Sequence, residues 1–322
     1  MRFLLRRSLP IVAHATLAGL VLVVLLRLLR IEVHALTVGL IAAAPQLMMF
    51  AWPVGLWFVV RRQWRRAMVA GLLVVAQLAL VVGSIGWRAL PEVPPAGDLR
   101  IGTANVYANN GSAADVLAGF LIAGVDVAVL QEVTPEILVS MSTTVAWDQY
   151  PHRVLDSRPG FFGSAILSKY PLDGDVLWVD EWPMTEATIT TDAGPVHIVN
   201  VHIEPPLSAE GVRRWKQQAS ELASLAESHV GPIVLAGDFN ATDQHSTISQ
   251  LQGVGLTDAH WAAGSGLGST WPNIGPIRPF LRIDRLLSSD GLTPIDTRRL
   301  GRFGSDHRPV VVTYVLGAPS SS

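Results

Sequence analysis

The chain has 322 residues, 49% of them hydrophobic, and a mean hydropathy of +0.36, which is high for a wholly soluble protein and leaves room for a full-sized core and more than one domain. Its net charge of −2 is unevenly divided: residues 1–96 carry 10 Arg and 2 Glu, leaving 14 basic and 24 acidic residues in 97–322, a net of −10. That sign counts against a domain built to hold long polynucleotides, which needs Lys and Arg along the phosphate backbone. The absence of cysteine is compatible with an extracytoplasmic location.

Three uncharged apolar runs open the chain: 8–26 (19 residues), 35–60 (26 residues) and 67–87 (21 residues). Each is close to the ~20 residues that a helix needs to cross a bilayer. Arg2, Arg6 and Arg7 would suit the basic end of a signal peptide, but two further apolar runs follow without a small-x-small cleavage site, so three transmembrane helices are expected. Arg2, Arg6 and Arg7, with Arg61, Arg62, Arg65 and Arg66 in the second loop, outnumber Arg27 and Arg30 in the first. The positive-inside rule then puts the amino terminus in the cytoplasm and, after an odd number of spans, the remainder of the chain outside. The expected organisation is a membrane anchor at 1–90, a Pro-rich linker at 91–98, a catalytic domain at 99–316 and a disordered tail at 317–322. The linker would hold the domain within ~30 Å of the bilayer.

Beyond the linker, short apolar runs at 99–106, 125–130, 163–167, 196–201 and 232–238 read as buried strands, with closing strands at 283–287 and 310–315. Helical patterns lie at 113–122, 135–141, 208–229 and 246–251. A stretch at 260–279, rich in Gly, Pro and Trp, reads as irregular; its Trp261 and Trp271 suit either packing or a membrane interface, packing being favoured. Strands alternate with helices in some places and follow one another in others, which implies a mixed-sheet α/β domain.

The strand ends share a chemistry. Pro232-Ile233-Val234-Leu235-Ala236-Gly237-Asp238-Phe239-Asn240 ends a buried strand with a carboxylate and a carboxamide two positions apart, which an extended backbone points to one side. Asn105, Glu132 and His202 also stand at strand ends, Asp284 lies in Arg282-Ile283-Asp284-Arg285, and Asp306-His307 lies in Ser305-Asp306-His307-Arg308-Pro309. Each alone suits a cap or a satisfied polar group; together they describe a site.

In Gln131-Glu132, Gly237-Asp238-Phe239-Asn240 and Ser305-Asp306-His307-Arg308-Pro309 the chain resembles the endonuclease/exonuclease/phosphatase superfamily of DNase I-like nucleases, inositol polyphosphate 5-phosphatases and neutral sphingomyelinases, over roughly 99–315. The resemblance implies a four-layer α/β/β/α sandwich. It also implies Glu132 as principal ligand of Mg²⁺ or Mn²⁺, supported by Asn105 and Asp306, and His307 as general base oriented by Asp284. Asp238 would position the attacking water, Asn240 would bind a phosphate oxygen, and His202 would stabilise the transition state or protonate the leaving group. A donor set of carboxylate and amide oxygens suits such a hard ion. Ala104 stands where many members carry a bulkier or polar residue, which bears on local packing and substrate preference. His197, His245 and His260 have no motif partner and read as surface or core histidines. Arg278, Arg282 and Arg308 lie close enough in sequence to contact phosphate, Arg282 and Arg308 equally suiting structural ion pairs.

Three amino-terminal spans joined to such a domain resemble membrane-anchored bacterial members linked to teicoplanin and vancomycin resistance. The implied activity is hydrolysis of a lipid-linked (pyro)phosphate, such as a polyprenyl carrier or a phospholipid, at the outer face of the plasma membrane, with the bilayer as partner and nucleic acid disfavoured by charge. The alternative on the same site is a cell-surface nuclease. A silent scaffold is disfavoured because Glu132, Asp238 and His307 are all present.

Overall fold

In a computed structural model the protein is described over residues 2–88 and 97–317, so most of the Pro-rich linker and the tail beyond Gly317 lie outside the described residues. The chain forms two compact units, one of residues 1–84, 206–212 and 243–246, the other of 85–205, 213–242 and 247–322. The second unit begins ahead of the expected linker, because Gly86–Trp87 pairs with Ser265–Gly266 as a two-stranded ribbon.

In the first unit two helical segments, Ser8–Leu28 and Trp64–Ser84, are long and apolar enough to cross a membrane. The expected middle span is not one straight helix: Ala35–Ala42 and the segment Ala44–Val60 meet at a bend of 65°, either a broken span or a re-entrant loop. The break has a local cause. Pro45 stands in the first turn of a four-residue helix, Ala44–Leu47, that gives way to a 3-10 turn at Met48–Phe50, and its missing N–H cannot continue the ladder of the helix before it. The carbonyl of Pro45 is met by the buried Gln77 of the last helix, whose Nε2 donates at 3.0 Å while its Oε1 accepts from Trp52 at 2.8 Å. A backbone acceptor freed in an apolar setting is thereby satisfied. The segment 243–246 belongs to this unit through Arg27 Nε to Gln244 Oε1 (2.8 Å), the Ser246 amide to Glu32 (2.8 Å) and the His245 ring to the Val38 carbonyl (3.1 Å).

The second unit is a mixed α/β sandwich of two six-stranded sheets. In chain order the strands are β1 (Leu99–Asn105), β2 (Val127–Gln131), β3 (His152–Asp156), β4 (Ser164–Ser168), β5 (Leu172–Val179), β6 (Trp182–Thr191), β7 (Gly194–His202), β8 (Ile233–Asp238), β9 (Thr257–Asp258), β10 (Asp284–Ser288), β11 (Leu292–Arg299) and β12 (Val310–Leu316). One sheet runs β11-β12-β1-β2-β4-β3 and the other β9-β10-β8-β7-β6-β5. Each has a single parallel pair, β1 with β2 and β7 with β8, and is otherwise antiparallel.

Alternation along each strand builds the layers. Ile101, Val127, Val129 and Ile166 of the first sheet pack against Ile189, Val196, Ile198, Val234 and Leu286 of the second. Ala128 and Leu130, one position out of phase, face the helices Asp115–Ile122 and Pro135–Ser142 through Leu117, Phe120, Ile137 and Met141. Beside the second sheet the amphipathic helix Ala209–Ser228 buries Trp215, Ala219 and Leu222, and the Trp215 indole donates to the Phe239 carbonyl just past β8.

The interior also holds a polar knot that no motif announced. Asn200 of β7 is fully buried, accepts from Gln131 Nε2 at 2.7 Å, and donates to the carbonyls of Leu130 and Ala165 and to Thr185 Oγ1. This ties β7 of one sheet to β2 and β4 of the other, two residues before His202 and one before Glu132. A fully satisfied buried network of this kind fixes the relative register of the two sheets.

Candidate active site

The two parallel pairs decide where the chemistry stands. Asn105 lies level with Gln131 at the carboxyl ends of β1 and β2, and His202 lies level with Asp238 at the ends of β7 and β8. Antiparallel β10 begins at Asp284, level with Asp238, so His202, Asp238 and Asp284 form one row across three strands. Gly237 permits this crowding: its φ is +149°, and a Cβ there would lie 1.9 Å from the Val201 carbonyl oxygen. Glu132 has φ +61° and Asn240 has φ +46°, left-handed backbone that Asn adopts readily and Glu rarely. Strained backbone of this sort concentrates at functional sites.

The eight residues singled out in the sequence converge at this end of the sandwich. His307 is the hub. Its Nδ1 lies 2.9 and 3.1 Å from the two oxygens of Asp284, while its Nε2 faces Asp238 Oδ2 at 3.7 Å and Asp306 Oδ1 at 4.0 Å. Its amide donates to Ser305 Oγ, which in turn donates to the Asn105 carbonyl at 2.7 Å, locking the Ser305–Asp306–His307 loop onto the end of β1. Asn105 Nδ2 bridges Glu132 Oε1 (2.9 Å) and Asp238 Oδ2 (3.2 Å), and its Oδ1 accepts from the Tyr107 amide. The other oxygen of Glu132 accepts from the Ala108 amide, and His202 Nε2 stands 3.9 Å from Glu132. Asn240 donates its amide to Asp238 Oδ1 at 2.8 Å and its side chain to the Ile203 carbonyl at 2.9 Å, closing a turn over β8.

Electrostatics follow from this crowding. Burial alone would depress His307, but Asp284 and Asp238 outweigh it and hold its pKa up at about 10. Burial, reinforced by Asp284, pushes Asp238 up to about 7 against the opposing pull of His307 and of the amides of Asn240 and Asn105. His202 goes the other way: burial lowers it, and Glu132 offsets that only in part. At neutral pH the site thus holds an imidazolium at His307, a neutral imidazole at His202 and a carboxyl at Asp238 poised to gain or lose a proton.

Among the described residues one His/Cys/Asp/Glu group, Asp238, Asp284 and His307, brings potential ligand atoms within 4.8 Å of one another. Asp284 is already occupied by His307 Nδ1, and Asp238 faces the other nitrogen of the ring at 3.7 Å, so the trio is an Asp–His–Asp charge cluster with one hydrogen-bonded side. The charge surplus lies beside it. Four carboxylates, Glu132, Asp238, Asp284 and Asp306, surround one favoured imidazolium. Glu132 and Asp306, with side chains 16% and 25% exposed, stand at the open side. Hard oxygen donors carrying excess negative charge fit a divalent cation.

Other residues named from sequence fall outside this centre. Arg282 is 5% exposed and pairs with Asp258 at 2.8 Å, so it is structural, and Arg308 donates to the Leu300 carbonyl. His197 pairs with Glu186 and stacks on His229, and His260 bonds the Gly266 carbonyl. Trp271, read as packing, touches the site: its indole Nε1 donates to Asp306 Oδ2 at 3.2 Å. Thr270 Oγ1 accepts the amides of Ile283 and Asp284 and so sets the start of β10, and Asn273 holds the backbone of Ser305 and Asp306. These three come from the irregular stretch, whose Gly/Pro/Trp composition gives no pairing signal.

Comparison with known proteins agrees with this geometry. Residues 102–307 match the model of the Endonuclease/Exonuclease/phosphatase family, and the chain belongs to that family. Two curated relatives, UPF0294 proteins of Yersinia pseudotuberculosis and Yersinia pestis, are each 30% identical over 153 residues, 47% of this chain and 48% of theirs. The chain therefore matches about half the length of those relatives. Among solved structures, an endonuclease/exonuclease/phosphatase of Bacteroides vulgatus superposes with a TM-score of 0.59 at 19% identity, covering 69% of this chain and 100% of that one. Truncated Caenorhabditis elegans TDP2 superposes with a TM-score of 0.57 at 21% identity, covering 67% and 97%. A 3'-5' exonuclease of Neisseria meningitidis superposes with a TM-score of 0.52 at 19% identity, covering 67% and 100%. At these identities the likeness shows the shared fold.

Proposed function

We propose that this protein is a membrane-anchored, divalent-metal-dependent phosphoester hydrolase acting on a lipid-linked (pyro)phosphate, a polyprenyl carrier or a phospholipid, outside the cytoplasm. The observation that carries the reaction class is His307 held between Asp284 and the Asp238–Asp306 pair, opposite Glu132 and His202. Apolar helices in the same chain and a net charge of −10 after residue 96 support a lipid-borne substrate over a polynucleotide. Kinship in form with the anchored members linked to glycopeptide resistance is part of this reading.

A cation, Mg²⁺ or Mn²⁺, held by Glu132 and Asp306 and by Asn105 once its amide turns its oxygen inward, would neutralise charge on the phosphoryl oxygens. The chain's own groups do the rest. Asp238, fixed through its other oxygen by the Asn240 amide, orients the attacking water and passes its proton into the Asp238–His307 pair. Asp284 holds the His307 ring so that Nε2 faces the reacting phosphoryl group. Neutral His202 donates a hydrogen bond to a phosphoryl or leaving-group oxygen. Asn240 contacts the phosphate once its amide leaves the Ile203 carbonyl.

Location outside the cytoplasm is supported under either reading of the bent middle segment. With three spans, the argument from Arg2, Arg6, Arg7 and Arg61–Arg66 holds. With two spans, Arg27, Arg30, Arg61, Arg62, Arg65 and Arg66 share one side against Arg2, Arg6 and Arg7, and the larger set stays in the cytoplasm. Both leave the catalytic unit outside; only the side of the amino terminus changes. Because the chain has no native cysteine, a single cysteine at Val230, 94% exposed, should react with an impermeant maleimide on intact cells, and protection there would reverse the assignment.

The activity test is phosphate release by the full-length protein in detergent with Mg²⁺, comparing polyprenyl pyrophosphate with single- and double-stranded DNA and using His307→Ala as the blank. Release from the lipid supports this reading. DNA cleavage without lipid turnover would replace it with a surface nuclease.

A further inference from the structure

Beside the catalytic histidines lies an aromatic surface that the phosphoryl chemistry does not use. The loop between β3 and β4 carries Phe161 and Phe162, 46% and 37% exposed, with ring centroids 4.5 Å apart. Both rest on Trp182 of β6: Phe161 stacks on the indole at 5.8 Å and 21°, and Phe162 tilts against it at 4.9 Å. Trp182, 5% exposed, turns its plane at 86° to the His202 ring, 6.4 Å away. The backbone of Phe161 also lies near enough to His202 to favour its charged form slightly.

The loop is pinned at its base. Gly163 accepts from the Val133 amide at 3.0 Å, Arg158 donates to the Val133 carbonyl at 3.3 Å, and a Cβ on Gly163 would lie 2.0 Å from that carbonyl oxygen. Val133 follows Glu132 directly. Two half-exposed phenylalanines are thus fixed between Glu132, a proposed cation ligand, and His202, and an apolar surface presented so firmly at the rim of a polar centre marks a binding surface.

We infer that Phe161, Phe162 and Trp182 form an apolar subsite for the hydrophobic group esterified to the scissile phosphate, next to His202 on the leaving-group side. This rests on the phosphoester reading above but not on the lipid substrate. The occupant follows from continuity: the carboxylate–histidine centre fixes the phosphoryl end, and the aromatic surface begins at the ring of His202. A substrate whose apolar group joins the phosphate through one ester oxygen spans both, whereas a hydrophilic ester leaves the two phenylalanines bare to water. The aromatic faces also offer sequence-independent stacking to a nucleobase, but the negative charge of residues 97–322 favours the aliphatic occupant.

The test is isothermal titration of the full-length protein in nanodiscs with Mg²⁺, using methyl-, butyl- and hexylphosphonate, which cannot be hydrolysed, with empty nanodiscs as blank. Hexylphosphonate should bind at least about tenfold tighter than methylphosphonate, since each buried methylene contributes. The Phe161→Ala, Phe162→Ala pair should bring that ratio down to about twofold, and the corresponding Leu pair should restore most of it. Should the alanine pair not fold, Phe161→Asp alone, at a half-exposed position, reads the same ratio. A wild-type ratio near one, a ratio that survives the substitutions, or no phosphonate binding at all would overturn the subsite. Failure of the substrate reading registers separately, as DNA cleavage or the lack of lipid phosphate release.

Discussion

Two buried carboxylates in the same unit, Asp258 and Asp238, are 2% and 1% exposed, yet their surroundings drive them in opposite directions. Asp258 receives Arg282 Nη1 on both oxygens at 2.8 Å and Arg285 Nη1 at 3.0 Å. Burial alone would raise it, but the two guanidiniums outweigh that and hold it below the ordinary carboxylate range. Asp238 sits beside a second carboxylate, Asp284, and its nearest cationic group, His307, is shared with both Asp284 and Asp306. Burial and Asp284 carry it up to about 7. The first centre has two cations for one anion and is finished as structure. The second has anions to spare, a surplus that a proton or a divalent cation would balance, and a perturbed acid of this kind is a candidate for chemistry where an equally buried, fully paired one is scaffolding.

The sharpest way to break this contrast is at its hub. His307→Ala should lower phosphate release on the order of 10³-fold, because Asp238 loses the imidazolium that favours its charged, proton-accepting form and the carboxylates lose their one favoured cation. The strands that carry Asp238 and Asp284 pair through backbone bonds that the substitution leaves alone. The far-ultraviolet circular dichroism of the variant should therefore match that of the wild type. Full activity in a folded His307→Ala protein would remove His307 from the mechanism.

Next in size is a paired substitution. Asp258→Asn leaves two buried guanidiniums facing a neutral amide and should cost about 3–5 kcal/mol, read by denaturant unfolding at pH 7. Because Asp258 titrates lower in the folded chain than unfolded, its contribution is present above the unfolded carboxylate value of about 3.9 and is lost as pH falls through the folded value. The penalty of Asp258→Asn should therefore shrink toward pH 3. For Asp238 the sign reverses: a folded pKa near 7, above the unfolded value, makes its ionisation a cost that grows between about pH 4 and 7. Asp238→Asn should abolish turnover without lowering the melting temperature at pH 8. Equal destabilisation by the two substitutions would erase the distinction between the centres.

Much of the active centre was legible because its residues end strands, and the end of a buried apolar run is visible in sequence. Asn105, Glu132, His202 and Asp238 stand at such ends, and the parallel pairing of β1 with β2 and of β7 with β8 sets Asn105 level with Gln131, next to Glu132, and His202 level with Asp238. The tuning groups were not legible. Trp271, Thr270 and Asn273 act across some 10–40 positions through loop geometry that has no period, and Asn200 looks like any residue in an apolar strand until Gln131 of the other sheet is placed against it. The bend at Pro45 was hidden for another reason: charge-free length reports apolarity, not straightness, and the Gln77 contact that makes the break tolerable comes from a helix 32 positions away. Arg282 stands two positions from Asp284 yet serves the other centre, because it precedes β10, which begins at Asp284, and the two-residue period of a strand does not govern where its side chain goes.

The smallest effect is expected at Asp306, the most exposed of the four carboxylates around His307. Trp271→Phe keeps the apolar ring and removes only the indole N–H that meets Asp306 Oδ2 at 3.2 Å. A hydrogen bond to a charged group contributes roughly 1.5–3 kcal/mol when buried, but the Asp306 side chain is 25% exposed and water replaces part of the loss. About a fivefold change is expected, and where it falls is the informative part. If Asp306 holds the cation, the Mg²⁺ concentration for half-maximal activity rises about fivefold while kcat at saturating Mg²⁺ stays within about twofold. If instead Asp306 acts through the His307 ring, whose Nε2 lies 4.0 Å from its Oδ1, then kcat falls and the metal requirement stays where it was, and Glu132 is left to hold the ion without Asp306.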